Sequence, residues 1–318
     1  MSNGGIASLL YLLFALALPD MRRCLLYLAC ILLGVVFASG RPLHGQPVEV
    51  PDSVQGGWNV DLAGKLSGSQ AAYRNWQEGG LNTLSITSTL DGRLEYESDR
   101  WVQAYDMRLS LGIVQQDTLA VRKAEDLIRL AGALSYIGDG FFRVFNPTIA
   151  LGMRTQFAAG FNYDKDPFGA GRPPPVKTSD LFAPATLTQS LGLTYDAGSW
   201  FSERFSAASK ETVVLIERLR PLYDVDPTRN VRYEVGVESV TTVNREVAPN
   251  VQLQSTLTLF KAVVQPSPVD VIWESLVNMR VNSWLNVGLE YVMLYDTNRS
   301  QAVQIKEVLS VGVSFEII

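Results

Sequence analysis

The sequence predicts an all-β fold, an antiparallel up-and-down transmembrane barrel of about 12 strands behind a cleaved export leader. Three observations carry this. From Trp58 onward apolar and polar residues alternate with period two, the pattern of a strand with one apolar and one polar face. The connections alternate short and long, so tight turns gather at one rim and loops at the other. Charged residues stand in mid-strand on the polar face, where a membrane barrel would turn them inward and pair them.

The amino end reads as an address. Residues 1–20 are an upstream start-site extension ahead of Met21. Residues 21–46 hold Arg22 and Arg23, an apolar run over 24–37 and the small-residue site Ala38-Ser39-Gly40, the layout of a signal peptide with a short linker. Neither apolar run near the amino end reaches the ~20 residues a spanning helix needs. Cys30 lies inside the run and is not read as a lipidation site. The barrel is assigned to residues 47–318.

The strands are expected at 58–68, 82–96, 100–114, 124–137, 143–163, 181–196, 200–207, 231–243, 249–263, 268–281, 285–296 and 303–317. In the last, Val303, Ile305, Leu309, Val311, Val313, Phe315 and Ile317 alternate with Gln304, Lys306, Ser310, Gly312, Ser314 and Glu316. Residues 210–220 are the one helix candidate, ended by Pro221. No helical stretch regularly separates the strands, which excludes βαβ folds. Expected short turns are Glu97-Ser98-Asp99, Gly138-Asp139-Gly140, Ala197-Gly198-Ser199, residues 244–248 and Asn282-Ser283-Trp284; the Gly/Pro-rich 164–180 is a long loop.

The expected lumen-facing charges are Asp106, Arg108, Arg154, Arg232, Glu234, Glu274, Arg280, Glu290 and Lys306. Trp58, Tyr96, Trp101, Tyr163, Tyr195, Trp200, Trp284 and Tyr295 fall near strand ends, as an interfacial girdle would. The soluble alternative is a periplasmic β-sandwich or lipocalin-like binding protein, also built from alternating strands. Strands this long exceed the usual ~5–6 residues and suit a tilted membrane strand.

Composition excludes several classes. The 318 residues are 47% hydrophobic and only 19% charged, with a net charge of −5 and no basic cluster to attract phosphate backbones, so no nucleic-acid partner is expected. Removing residues 1–46 takes away both cysteines and the single histidine, His44. Three arginines and Asp20 go with them, moving the net charge from −5 to −7. Without His or Cys, Ser-His-Asp and Cys-His catalysis and His/Cys zinc sites are impossible. Glu234 and Glu238 share a strand face, but four residues at ~3.3 Å each put their backbones about 13 Å apart. That is beyond the ~5–9.5 Å separation of glycosidase carboxylates. The expectation is a non-enzyme without cofactor or metal.

Several runs resemble a known family. They are Trp76-Gln77-Glu78-Gly79-Gly80-Leu81-Asn82-Thr83-Leu84-Ser85, then Thr155-Gln156-Phe157 with Gly160 and Tyr163, then Ser179-Asp180-Leu181-Phe182-Ala183-Pro184-Ala185. Further on come Asn250-Val251-Gln252-Leu253 leading to Leu259-Phe260, Asp270-Val271-Ile272-Trp273-Glu274, and Gln304-Ile305-Lys306-Glu307-Val308-Leu309-Ser310-Val311-Gly312. In this order they resemble the domain-of-unknown-function 3078 family, outer-membrane β-barrel proteins of the Bacteroidota, over about residues 58–318. The resemblance implies an exported barrel in the cell outer membrane and implies no activity. Such barrels commonly end on an aromatic residue read by the insertion machinery; here Phe315 is the candidate signal, followed by Glu316-Ile317-Ile318.

Two functions follow as expectations. One is a narrow pore or transport barrel, since about twelve strands lie between a filled eight-stranded barrel and an open sixteen-stranded one. The other is an envelope scaffold whose loops bind a partner protein or polysaccharide, with Trp76 beside Gly79-Gly80 as the docking feature. The lipid bilayer and the outer-membrane assembly machinery are the expected partners in either case.

Overall fold

Alternating side chains leave each strand with a complete backbone ladder to satisfy, and a barrel does so without exposing an edge. The computed structural model describes residues 57–72, 82–264 and 267–317. The leader and start-site extension expected over 1–46 lie outside these residues, as does the run 76–80.

Twelve antiparallel strands close into one barrel. In chain order they are β1 (Gly57–Ala71), β2 (Thr83–Glu97), β3 (Trp101–Gln116), β4 (Arg122–Tyr136), β5 (Phe145–Thr155), β8 (Ala185–Asp196), β9 (Phe201–Val213), β10 (Val231–Ala248), β11 (Val251–Ala262), β12 (Asp270–Arg280), β13 (Leu285–Tyr295) and β14 (Gln304–Glu316). Two short strands, β6 (Gly160–Asn162) and β7 (Val176–Ser179), pair apart from the barrel. Each barrel strand pairs with its sequence neighbour in the barrel. The ring closes where β1 meets β14, from Ala63↔Glu316 to Gly68↔Val311. Connections at 98–100, 137–144, 197–200, 249–250 and 281–284 form one rim; the long ones, including 156–184 and 214–230, form the other.

Three local expectations are corrected. The strand expected over 143–163 ends at Thr155, because the Asp126 carboxylate accepts the backbone N–H of Phe157 at 2.7 Å and of Ala158 at 2.9 Å. Those bonds turn the chain out of the ladder, and Phe161 and Tyr163 belong to the β6–β7 hairpin region rather than to a barrel strand. The helix expected over 210–220 is absent. β9 continues to Val213, with Lys210 opposite both Thr188 and Glu234, and a 3-10 turn follows at Glu217–Tyr223 with Pro221 inside it. The turn expected at 244–248 is strand. β10 pairs through Arg245↔Leu253 to Ala248↔Val251, and the reversal is made by Pro249 and Asn250, the latter at φ 64°.

The outer face is apolar. Along β14, Ile305, Leu309, Val311 and Phe315 are exposed, as are Tyr233 and Val235 on β10 and Leu191 and Phe205 on β8 and β9. This places the apolar face outward and the polar face inward, the inverse of a sandwich or a ligand-binding soluble barrel. The inner wall is joined by hydroxyls: Ser135 to Thr148 at 2.9 Å, Thr148 to Thr194 at 2.8 Å, and Thr89 to Ser110 at 3.1 Å. A separate apolar core lies among the long loops, where Ala183, Val214, Leu219 and Val225 are buried and Phe168, Ile216, Leu222 and Tyr223 pack on them. Tyr223 donates its hydroxyl to the Thr178 carbonyl at 2.9 Å, and burial pushes its pKa up to about 12.

Candidate functional site in the barrel lumen

Period two makes every second residue of a strand point inward, so cross-strand register decides which inward groups meet. On three successive strands the register places Arg108↔Arg129 and Arg129↔Arg154 directly opposite one another. Asp91 is the register partner of Arg108 on the other side, with an oxygen 3.6 Å from its Nε. Three guanidinium groups in a row repel, and the counter-charge comes from across the barrel.

That counter-charge is Glu274 on β12. Five strands separate β12 from β4 in either direction round the ring, so the two strands are opposite walls. The Glu274 carboxylate accepts from Arg129 at 2.5 Å and from Arg154 at 2.6 Å. All three keep water access, with 34, 27 and 19% of the Arg129, Arg154 and Glu274 side chains exposed. The interior at this level is therefore spanned by side chains instead of filled by an apolar core.

Two further clusters span the interior. Lys306 of β14 donates to Glu290 on the adjacent strand at 2.8 Å and to Glu125 of β4 at 2.7 Å. Lys210 of β9 meets Glu234 at 3.0 Å, Asp296 at 3.6 Å and, more closely still, Asp270. The 296–303 connection folds toward this group: Asn298 donates to Glu234 at 3.2 Å and Arg299 to the Thr186 hydroxyl at 2.5 Å. Thr186 is the register partner of Arg154, so Arg299 extends the arginine row. Arg232 extends it further, reaching Glu234 at 3.0 Å and Asp224 at 3.3 Å, and standing opposite Thr212 in register.

Of the charges expected from sequence, Arg154 and Glu274 are brought together, as are Arg232 with Glu234 and Glu290 with Lys306. Arg108 joins the row. Asp106 lies in register between Arg93 and Ala131, outside these clusters. Arg280 is at the short-turn rim, where it donates to the Asn250 side chain at 3.2 Å. Glu238 pairs with Arg204 at 3.2 Å, so the two glutamates of β10 serve separate ion pairs. Arg129, Glu125, Lys210 and Asp270 join these clusters and are not among the charges expected from sequence. The first two share the inward parity of Leu127, and Lys210 was hidden by the helix assignment.

Six of the expected girdle residues, Trp58, Tyr96, Trp101, Tyr195, Trp200 and Trp284, gather at the short-turn rim, whereas Tyr295 ends β13 at the long-loop rim. Trp58 packs on Tyr96 at 5.1 Å, Trp101 on Tyr136 at 5.0 Å and Phe145 on Tyr195 at 5.8 Å between ring centroids. Trp200 and Trp284 lie at the same rim and are exposed. Tyr163 is in the long loop beneath the Arg122 guanidinium. Among the described residues there is no cluster of His, Cys, Asp and Glu that could hold a metal ion.

Solved structures that match the chain include the translocator domain of the autotransporter NalP from Neisseria meningitidis, at 8% identity and TM-score 0.32, covering 93% of this chain and 97% of that one. An outer membrane channel from Pseudomonas putida F1 matches at 12% identity and TM-score 0.36, covering 84 and 98%. OmpT, an outer membrane protein of Vibrio cholerae, matches at 11% identity and TM-score 0.30, covering 84 and 100%. No curated protein sequence matches the chain. Residues 69–161, from the end of β1 through the arginine row to β6, match the model of a family described as Protein of unknown function (DUF3078), which supports that family for this stretch.

Proposed function

We propose that this protein is an outer-membrane β-barrel of that family over its whole mature length, of the kind found in Bacteroidota, and that it passes small polar solutes through a narrow, charge-lined lumen. The observation that carries the reading is the water-accessible bridge of Arg129 and Arg154 to Glu274 between opposite walls. A lumen crossed by side chains from opposite walls leaves room for small solutes and excludes large ones. Twelve strands fit such a narrow bore. The apolar outer face and the aromatic rim support a bilayer setting. Export by the leader over 21–46, assembly through Phe315 on the outer face of the last strand, and the lack of any catalytic role belong to the same proposal.

Planar-bilayer recording of the refolded chain tests it. Small, discrete conductance steps are expected; a folded, heat-modifiable protein that inserts and never conducts overturns the passage. The second reading is a scaffold, favoured by the buried Val214–Leu219–Val225 core that gives the long loops a fixed surface. Mild detergent extraction that always yields the chain alone counts against it.

A further inference from the structure

We propose that the inner-wall arginine row is a binding site for oxyanions, solutes bearing phosphate or carboxylate groups, which take the place that Glu274 holds on Arg129 and Arg154. The inference deepens the passage reading by naming the solute class, and rests on it only in that the solute must reach the lumen.

The row is built by register. Arg108, Arg129 and Arg154 are successive cross-strand partners, and the next two positions round the wall, Thr186 and Thr212, are contacted by Arg299 and Arg232. Five guanidinium groups thus form one arc. Arginine presents a planar fork matched to two oxygens of a carboxylate or phosphate, which a row of lysines would not.

At its middle the arc is short of acceptors. Glu274 is one carboxylate shared by Arg129 and Arg154, one oxygen to each. Asp91 lies 3.6 Å from Arg108 and is itself half exposed. Among the described residues, the buried side-chain nitrogens without a hydrogen-bond partner are all arginine Nε atoms, of Arg204, Arg232 and Arg299; the buried oxygens without one are Ser206 Oγ, Asp270 Oδ1 and Asn286 Oδ1. Two of the three arginines belong to the arc, although Arg299 Nε has Asp296 at 3.7 Å and the other Arg232 nitrogens are engaged. Buried donors without acceptors are costly and call for an oxygen. Glu274 reaches the row from the opposite wall, so its withdrawal opens the space a ligand needs without moving a strand. In a confined lumen with low-dielectric walls the middle of the arc, two guanidinium groups to one carboxylate, also concentrates anions.

The experiment titrates inorganic phosphate into the detergent-solubilised full chain at constant ionic strength, by calorimetry, with bilayer recording in parallel. Saturable binding is expected. Glu274→Gln removes the competing carboxylate and should tighten it about tenfold, the effect of roughly one charge-assisted contact. Arg154→Gln should weaken it by a similar factor. Arg204→Gln, off the row and paired with Glu238, should leave it unchanged. Arg154→Lys is the second variant if Arg154→Gln does not fold, and it should weaken binding several-fold because the fork is lost while the charge remains. Binding that does not saturate, or is indifferent to both Glu274 and Arg154, overturns the site. Conductance without phosphate binding or block removes the site and leaves the passage; binding without conductance does the reverse.

Discussion

At the residue scale the inner wall is decided by small differences in size and charge. Gly236 on β10 shows the first: a Cβ there would lie 2.1 Å from the Lys261 carbonyl oxygen on β11. That neighbour is backbone within a paired strand, so nothing flexible can give way. Gly236→Ala is expected to destabilise the barrel by about 1–3 kcal/mol or more through overpacking, read as a lower temperature for loss of the compact band on unboiled gels. An unchanged temperature would mean that the β10–β11 approach is looser. Glu274 shows the second. Glu274→Ala leaves Arg129 and Arg154 adjacent with no shared anion, whereas Glu274→Gln keeps an acceptor. The alanine variant should lose about 1–3 kcal/mol, as for a hydrogen bond to a charged group left unmade, and should regain part of it in phosphate buffer.

At the scale of elements, strands and loops differ in how far local sequence controls them. All twelve barrel strands follow the period-two signal, because a face toward lipid or solvent fixes which side chains can point outward. Their ends do not follow it. β5 stops where Asp126 captures two N–H groups, a contact from β4 that no local pattern announces. β9 outruns its expected end because Lys210 meets Glu234, Asp270 and Asp296, three acids distant in sequence, and this outweighs the helix propensity of 210–220. The arginine row is illegible for the same reason: Arg108, Arg129 and Arg154 show inward parity, but only register makes them neighbours. The loop core offers a pH test. Burial raises the Tyr223 phenol to about 12, so its neutral form stabilises the native loops. That contribution is whole below the unfolded value of about 10 and is lost as pH rises through the native one. One tyrosine should therefore ionise about two pH units late by ultraviolet titration, and Tyr223→Phe should remove that late step. In the 296–303 connection, Arg299→Ala should release its hold on Thr186 and raise single-channel conductance measurably if this segment narrows the lumen.

The whole molecule turns its apolar face out and pairs its charges within, and this inversion reconciles its composition with its setting. A low charged fraction with near-neutral hydropathy arises because each strand averages one greasy row with one polar row. The same inversion yields a test that separates a bilayer from water as the solvent of the outer face. Leu309 on β14 is exposed, lies opposite Leu289 on β13, and has outward neighbours in Val311 and Glu307, with Ile305 beyond. In water, replacing such a leucine by arginine changes little or helps solubility. In a bilayer, arginine at the midplane costs about 2–4 kcal/mol, falling toward about 0–1 near the interfaces. Leu309→Arg should therefore lower refolding stability into lipid vesicles by about 2–4 kcal/mol, while Ile305→Arg, two outward positions nearer the long-loop end, should cost less. The inward Ser310→Arg controls for bulk, since its side chain enters the lumen. A chain indifferent to Leu309→Arg yet sensitive to Ser310→Arg would have an outer face that meets water, and the membrane reading would fall with it. The depth gradient decides the matter, because a surface patch that binds a partner protein would also resent arginine but would not rank the two positions by distance from a bilayer midplane.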